Sequence, residues 1–138
     1  MSWLAAVMVA GVGGSVAGCC FGRSPGESVV ILRGGRELAV AEDGDPDGPV
    51  VMYVHGAPTS RLDISVHNDI VTSHGTRVIA VDRPGFGGST LQPGRTLDGW
   101  VGDVVALADA LSLTSFAVMG LSAGGPHTVA ARRGCLIG

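Results

Sequence analysis

The sequence predicts an α/β fold, a mostly parallel sheet with helices on both faces, and three observations predict it. Short apolar runs rich in β-branched residues occur at Val50 to Val54, Arg77 to Val81 and Phe116 to Met119, the length of buried strands. Segments with helical periodicity alternate with them. Each run leads into a Gly- or Pro-rich loop, namely His55-Gly56-Ala57-Pro58, Asp82 to Ser89 and Gly120 to Gly124. Alternating strands and helices bury a parallel sheet on both sides.

Residues 1–22 read as an apolar leader, separate from a domain spanning 23–138. Trp3 to Ala17 is uncharged, too short for a membrane span, and fits the core of a signal peptide. Val16-Ala17-Gly18-Cys19 resembles a bacterial lipobox. No Lys or Arg precedes the run, and five glycines between Gly11 and Gly22 weaken a helix there. Cytoplasmic residence is the expectation, with export or lipid anchoring as the alternative. A membrane is a partner only if the leader is a signal or an anchor.

Arg23 to Glu27 is a polar joint. Ser28 to Leu32 and Glu37 to Glu42 then form a predicted hairpin around Gly34-Gly35, since paired glycines supply positive φ. Asp43 to Pro49 is an acidic turn without the spacing of a calcium loop. After Pro58, Thr59 or Ser60 is the expected cap of a helix, with Asp63 completing a capping box. Leu62, Val66, Ile70 and Val71 form its expected apolar face, and His74-Gly75 its end. Thr96 caps a second helix, with Leu97, Trp100, Val101, Val104, Ala108 and Leu111 on one face. Asp103 and Asp109 fall outside that stripe. The segment after Gly125 reads as a last helix, to about Arg133.

Composition excludes several function classes. The chain has 138 residues, 46% hydrophobic and 15% charged, which is a globular composition rather than a disordered one. A net charge of -3 offers no basic footprint, so nucleic acid is not an expected partner. All nine basic residues are arginines, and without lysine there is no Walker A loop, Schiff-base lysine or Ser-Lys dyad. Cys19, Cys20 and Cys135 match no zinc or redox spacing. No metal and no cofactor is expected.

The chemistry concentrates at Gly120-Leu121-Ser122-Ala123-Gly124, a G-x-S-x-G pattern between a strand and a helix. A serine on such a turn is the nucleophile elbow, whose neighbours must be small because the backbone is strained. With the His55 to Pro58 and Asp82 to Ser89 loops in order before it, the chain resembles the N-terminal part of an α/β-hydrolase-fold enzyme. The likeness covers about Ser28 to Arg133 and points to the serine hydrolases, the esterase and peptidase-like branch.

The resemblance implies Ser122 as nucleophile and a small acyl compound as substrate. It implies an oxyanion hole built from the backbone N–H groups of Ala123 and Ala57, with His55 and Gly56 supporting that loop. Dehalogenases and epoxide hydrolases of this fold carry Asp at the elbow, so Ser122 favours ester, thioester or amide chemistry, or a relative such as C–C bond hydrolysis. Asp82 is expected to hold its own loop, His127 to line the cleft or a helix face, and His67 and His74 to lie at the surface.

The family's triad runs Ser, acid, His. No Asp or Glu follows Ser122 and no His follows His127. The expectation is a truncated α/β-hydrolase domain, with the Phe116 strand as an open edge prone to self-association. Two function classes stay open: a serine hydrolase by descent, incomplete in this chain, and a catalytically inactive remnant acting as a binding or pairing module.

Overall fold

The computed structural model describes residues 26–135. The leader, residues 1–22, with its lipobox-like Cys19, lies outside the described residues, as do the ends of the expected domain. Strands β1 (Glu27–Ile31) and β2 (Glu37–Gly44) form the expected hairpin. Strands β3 (Val50–Val54), β4 (Arg77–Val81) and β5 (Ala117–Gly120) follow, and the five make one sheet in the order β1-β2-β4-β3-β5. The sheet is mixed: β4, β3 and β5 are parallel, whereas β1 with β2 and β2 with β4 are antiparallel.

Register positions the loops. Val54 pairs with Val81 on one side and with Gly120 on the other. The chain segments starting at His55, Asp82 and Leu121 therefore leave the sheet side by side at its C-terminal end, where open α/β sheets bind their ligands.

Alternate residues of these strands feed two cores, as period-2 side chains must. Met52, Val54, Ile79 and Val81 face helices α2 (Leu97–Ala110) and α3 (Gly125–Cys135), packing with Val30, Leu38, Trp100, Val104, Leu107 and Ala131. Tyr53, Val78 and Ala80 face the other way, under Ile64 and Val71. Burying each large aliphatic side chain of this kind contributes about 1.5–3 kcal/mol. Among the described residues no helix is long and apolar enough to cross a membrane.

Two expectations are corrected. The segment after Ser60 is not one amphipathic helix. It is two 3-10 turns, Arg61–Asp63 and Ser65–His67, followed by a short helix α1 (Asn68–Ser73). A 3-10 turn takes about 3.0 residues rather than about 3.6, so the apolar positions rotate off a common face. Val66 and Ile70 are left 79% and 59% exposed, while Ile64 and Val71 make the contact with the sheet. The capping box is also redistributed: Ser60 Oγ accepts from Leu62 N, and Thr59 Oγ1 donates to Asp63.

The second correction concerns α2. Its cap is Thr96, whose Oγ1 accepts from Gly99 N at 3.0 Å. Asp103, expected outside the apolar stripe, is buried and paired with Arg36 from the hairpin turn. A buried carboxylate on an apolar face is tolerated because that guanidinium grips both its oxygens. Leu97 is 42% exposed, and Leu107 is fully buried in the core.

Candidate active site

The turn between β5 and α3 is shaped by its glycines. A Cβ at Gly120 would lie 2.2 Å from Thr128 Oγ1, and one at Gly124 would lie 2.2 Å from the Val54 carbonyl oxygen. Only glycine permits that approach. Between them Ser122 is exposed and holds φ at +48°, a left-handed conformation that L-residues rarely adopt. Leu121 N donates to the Val54 carbonyl, and Gly124 N to the Leu121 carbonyl, which closes the turn against β3. Among the described residues no group is hydrogen-bonded to Ser122 Oγ.

The loop after β3 lies against this turn. A Cβ on Gly56 would stand 3.4 Å from Ser122 Cβ and 3.3 Å from the Leu121 carbonyl oxygen. Gly56 is buried and Ala57 exposed. The backbone N–H groups of Ala57 and Ala123 are not paired with another described residue.

His55 is fully buried, and both its ring nitrogens are engaged by backbone. Arg83 N donates to Nε2 at 3.2 Å. Nε2 is thus the acceptor, so the proton sits on Nδ1, which donates to the Gly56 carbonyl at 2.6 Å. Burial holds His55 below the ordinary imidazole value; the bond to Gly56 opposes that, the Arg83 charge reinforces it, and Asp82 opposes it. No nitrogen of His55 is left to take a proton from Ser122.

Asp82, also fully buried, anchors its loop. Its carboxylate accepts from Arg61 N at 2.7 Å, from the Arg61 guanidinium and from Gly88 N at 2.9 Å. Gly87 is obligatory there, since its Cβ would fall 1.9 Å from Asp82 Oδ2. Arg61 reaches on to Glu27 at 2.6 Å, tying β1 to both loops. Ser89 Oγ donates to the Asp82 carbonyl and accepts from Ala39 N of β2.

His127 sits in the first turns of α3, half-buried, its ring edge-on to Trp100 at 5.6 Å. Its Nδ1 donates to the Ala123 carbonyl at 3.2 Å, and Trp100 Nε1 donates to the His127 carbonyl at 3.2 Å. Burial lowers its pKa, as do the charges of Arg83 and Arg95, against the bond to Ala123. His67 and His74 are exposed.

Two residues escaped the sequence reading. Arg61 is the counter-ion of Asp82; a buried acid in a Gly-rich loop demands one, but nothing in the spacing says which arginine. Arg83 lies within the Asp82 to Ser89 loop, yet its contact with the Gly56 carbonyl crosses to a residue 27 positions away. Among the described residues no cluster of His, Cys, Asp or Glu could hold a metal ion. A shallow apolar groove of about 680 Å³ runs between α2 and α3, lined by Leu97, Val101, Val129 and Arg133 among others; Ser122 does not line it.

No protein-family profile matches the chain. Curated relatives do. It is 40% identical over 98 residues to a non-heme chloroperoxidase of Streptomyces lividans, covering 70% of this chain and 35% of that protein. It is 32% identical over 97 residues to a bifunctional esterase/perhydrolase of Acinetobacter calcoaceticus, covering 70% and 35%. It is 35% identical over 103 residues to epoxide hydrolase B of Mycobacterium tuberculosis, covering 71% and 29%. The chain thus spans about a third of the length of these relatives. Among solved structures, a hydrolase from Pseudomonas aeruginosa superposes with a TM-score of 0.67 at 29% identity, covering 75% of this chain and 39% of that one. By this kinship, the mixed sheet and the helices on its two faces, the chain belongs to the α/β-hydrolase-fold superfamily.

Proposed function

We propose that Ser122 is the nucleophile of an acyl hydrolase acting on an ester or related bond. The observation that carries this reading is the backbone of Ser122, held at φ +48° and exposed between two glycines that admit no side chain. Strain of this kind persists where the surrounding structure enforces it, and such positions cluster at active sites. The serine itself narrows the chemistry, since epoxide hydrolases of this fold attack with Asp.

In this reading Ser122 Oγ adds to the acyl carbon, and the developing oxyanion is met by the N–H groups of Ala123 and Ala57. Each such donor typically contributes about 10²- to 10³-fold. The Oγ proton needs a base. His55, with both nitrogens committed, does not supply it. The bond to the Ala123 carbonyl makes His127 a helix-anchored ring rather than the partner the triad order calls for.

The test is p-nitrophenyl ester cleavage by the purified chain beside Ser122→Ala, with mass spectrometry of the acylated peptide. A slow release of p-nitrophenol that requires Ser122, with the acyl group on that residue, is expected. Equal rates in both proteins would remove the catalytic reading. A second reading then gains ground, a pairing module acting through β5, which among the described residues is bonded on one side only and exposes Met119 at 42%.

A further inference from the structure

The carbonyl oxygen of Gly56 is a crowded, buried acceptor at the edge of the candidate site. It receives His55 Nδ1 at 2.6 Å, Arg83 Nη2 at 2.9 Å and Thr59 Oγ1 at 3.3 Å. A carbonyl has two lone pairs, and three donors exceed what an ordinary loop carbonyl needs. One of them is a cation. Arg83 is 4% exposed and has no ion-pair partner among the described residues. Its Nε is buried without any partner, and its guanidinium rests 4.3 Å above the Phe86 ring. Burial and the neighbouring charge of Arg95 both work against its protonated form. A fold that keeps a costly cation there, unneutralised, gains something from its position.

What it touches explains the gain. The Gly56 carbonyl and the Ala57 N–H belong to one planar trans peptide, and the two point in opposite directions. Drawing the carbonyl inward onto His55 and Arg83 turns the N–H outward, on the exposed side where Ser122 lies against Gly56. A charge on the carbonyl also polarises the amide, which makes its N–H a stronger donor.

We propose that Arg83 is a positioning residue of the oxyanion hole: it locks the Gly56–Ala57 peptide so that the Ala57 N–H faces the oxyanion, and its charge strengthens that donor. This rests on the reading of Ser122 as nucleophile and Ala57 as donor. Arg83 touches no reacting atom. It acts through one peptide group, and Phe86 holds it there by a cation–π contact.

Two readouts on the full chain test this, one of which needs no activity. The first is the Ala57 amide resonance in ¹H–¹⁵N spectra. Arg83→Met is expected to move its proton upfield, and Arg83→Lys, which keeps the charge but not the planar fork, to restore part of the shift. The second is the Ser122-dependent burst with a p-nitrophenyl ester. Its limiting rate is expected to fall about tenfold or more in Arg83→Met, short of the roughly 10²- to 10³-fold lost with a whole oxyanion donor, at an unchanged half-saturating ester concentration. Arg83→Lys recovers part of that rate. Should Arg83→Met not fold, Phe86→Leu leaves the arginine in place and is expected to shift the Ala57 proton in the same direction by less.

An active wild type whose Ala57 amide is unmoved in the folded variants overturns the role of Arg83 alone. A wild type with no Ser122-dependent burst overturns the reading beneath it, and the Arg83 role with it. A loss of binding with an unchanged limiting rate also overturns it, since that is how a substrate contact behaves.

Discussion

The two sides of the candidate site are built by opposite means. On the side of β3 and β4, His55, Asp82 and Arg83 are buried and held by directed hydrogen bonds to backbone, to Arg61 and to one another. On the side of β5, Ser122 is exposed, its hydroxyl has no partner among the described residues, and its geometry comes from two glycines and a strained φ. Polar groups taken out of water must be satisfied, so the first side is specified bond by bond. A nucleophile, as proposed for Ser122, must stay accessible, so the second is specified by shape. The difference predicts how each responds to substitution.

The largest effect belongs to the buried side. Asp82→Ala strands the Arg61 guanidinium, which keeps only Glu27, and releases the Arg61 and Gly88 amides from a fully buried acceptor. Breaking a buried pair in this way costs about 3–5 kcal/mol. Urea unfolding reads it directly; a loss under about 1 kcal/mol would mean that shape, not bonding, governs this side as well.

A pH effect follows from His55. Its pKa in the fold is held below the unfolded value of about 6.5, chiefly by burial. Between those two values the unfolded chain binds the extra proton, so stability rises with pH. The contribution is complete above about pH 6.5 and is lost as pH falls through the folded-state value. His127, lowered for the same first reason, acts in the same direction. His55→Gln should therefore flatten, without abolishing, the fall in urea midpoint between about pH 7.5 and about pH 5. An unchanged slope in a destabilised variant would show that the ring is not the titrating group.

The smallest effect, and the one of opposite sign, lies on the exposed side. Ser122→Gly relieves the left-handed conformation, which costs an L-residue about 1–2 kcal/mol, while adding freedom to the unfolded chain. A net gain of up to about 1 kcal/mol is expected in thermal or urea unfolding. If this variant is less stable than wild type, the hydroxyl has a structural bond and the two sides are built alike.

The parts legible in the sequence are those fixed by nearby residues. The apolar runs of β3 and β4 matched the observed strands, because period-2 burial leaves a dense local signal. Thr96 marked the start of α2 because a cap bonds three residues on. The segment from Arg61 to Ser73 was misread because its apolar residues fit a helical period that the backbone does not keep. Asp103 was misplaced since its partner, Arg36, is 67 residues away. In the site, the three loops were visible as motifs, whereas the bonds joining them, Arg61 to Asp82 and Arg83 to Gly56, depend on strand order and register that no local pattern encodes.

The pairing of Val54 with both Val81 and Gly120 works as a vernier. Three loops meet because three strands stop at the same height. A slip of one residue in either pairing would offset one loop from the others by about 3.3 Å and turn that strand's inward side chains to the opposite face. Fully buried residues on both faces, Met52 and Ile79 on one and Ala80 on the other, make such a slip prohibitive. The alignment of the three loops to within a fraction of a residue step is thus enforced by apolar packing in the two cores beneath them.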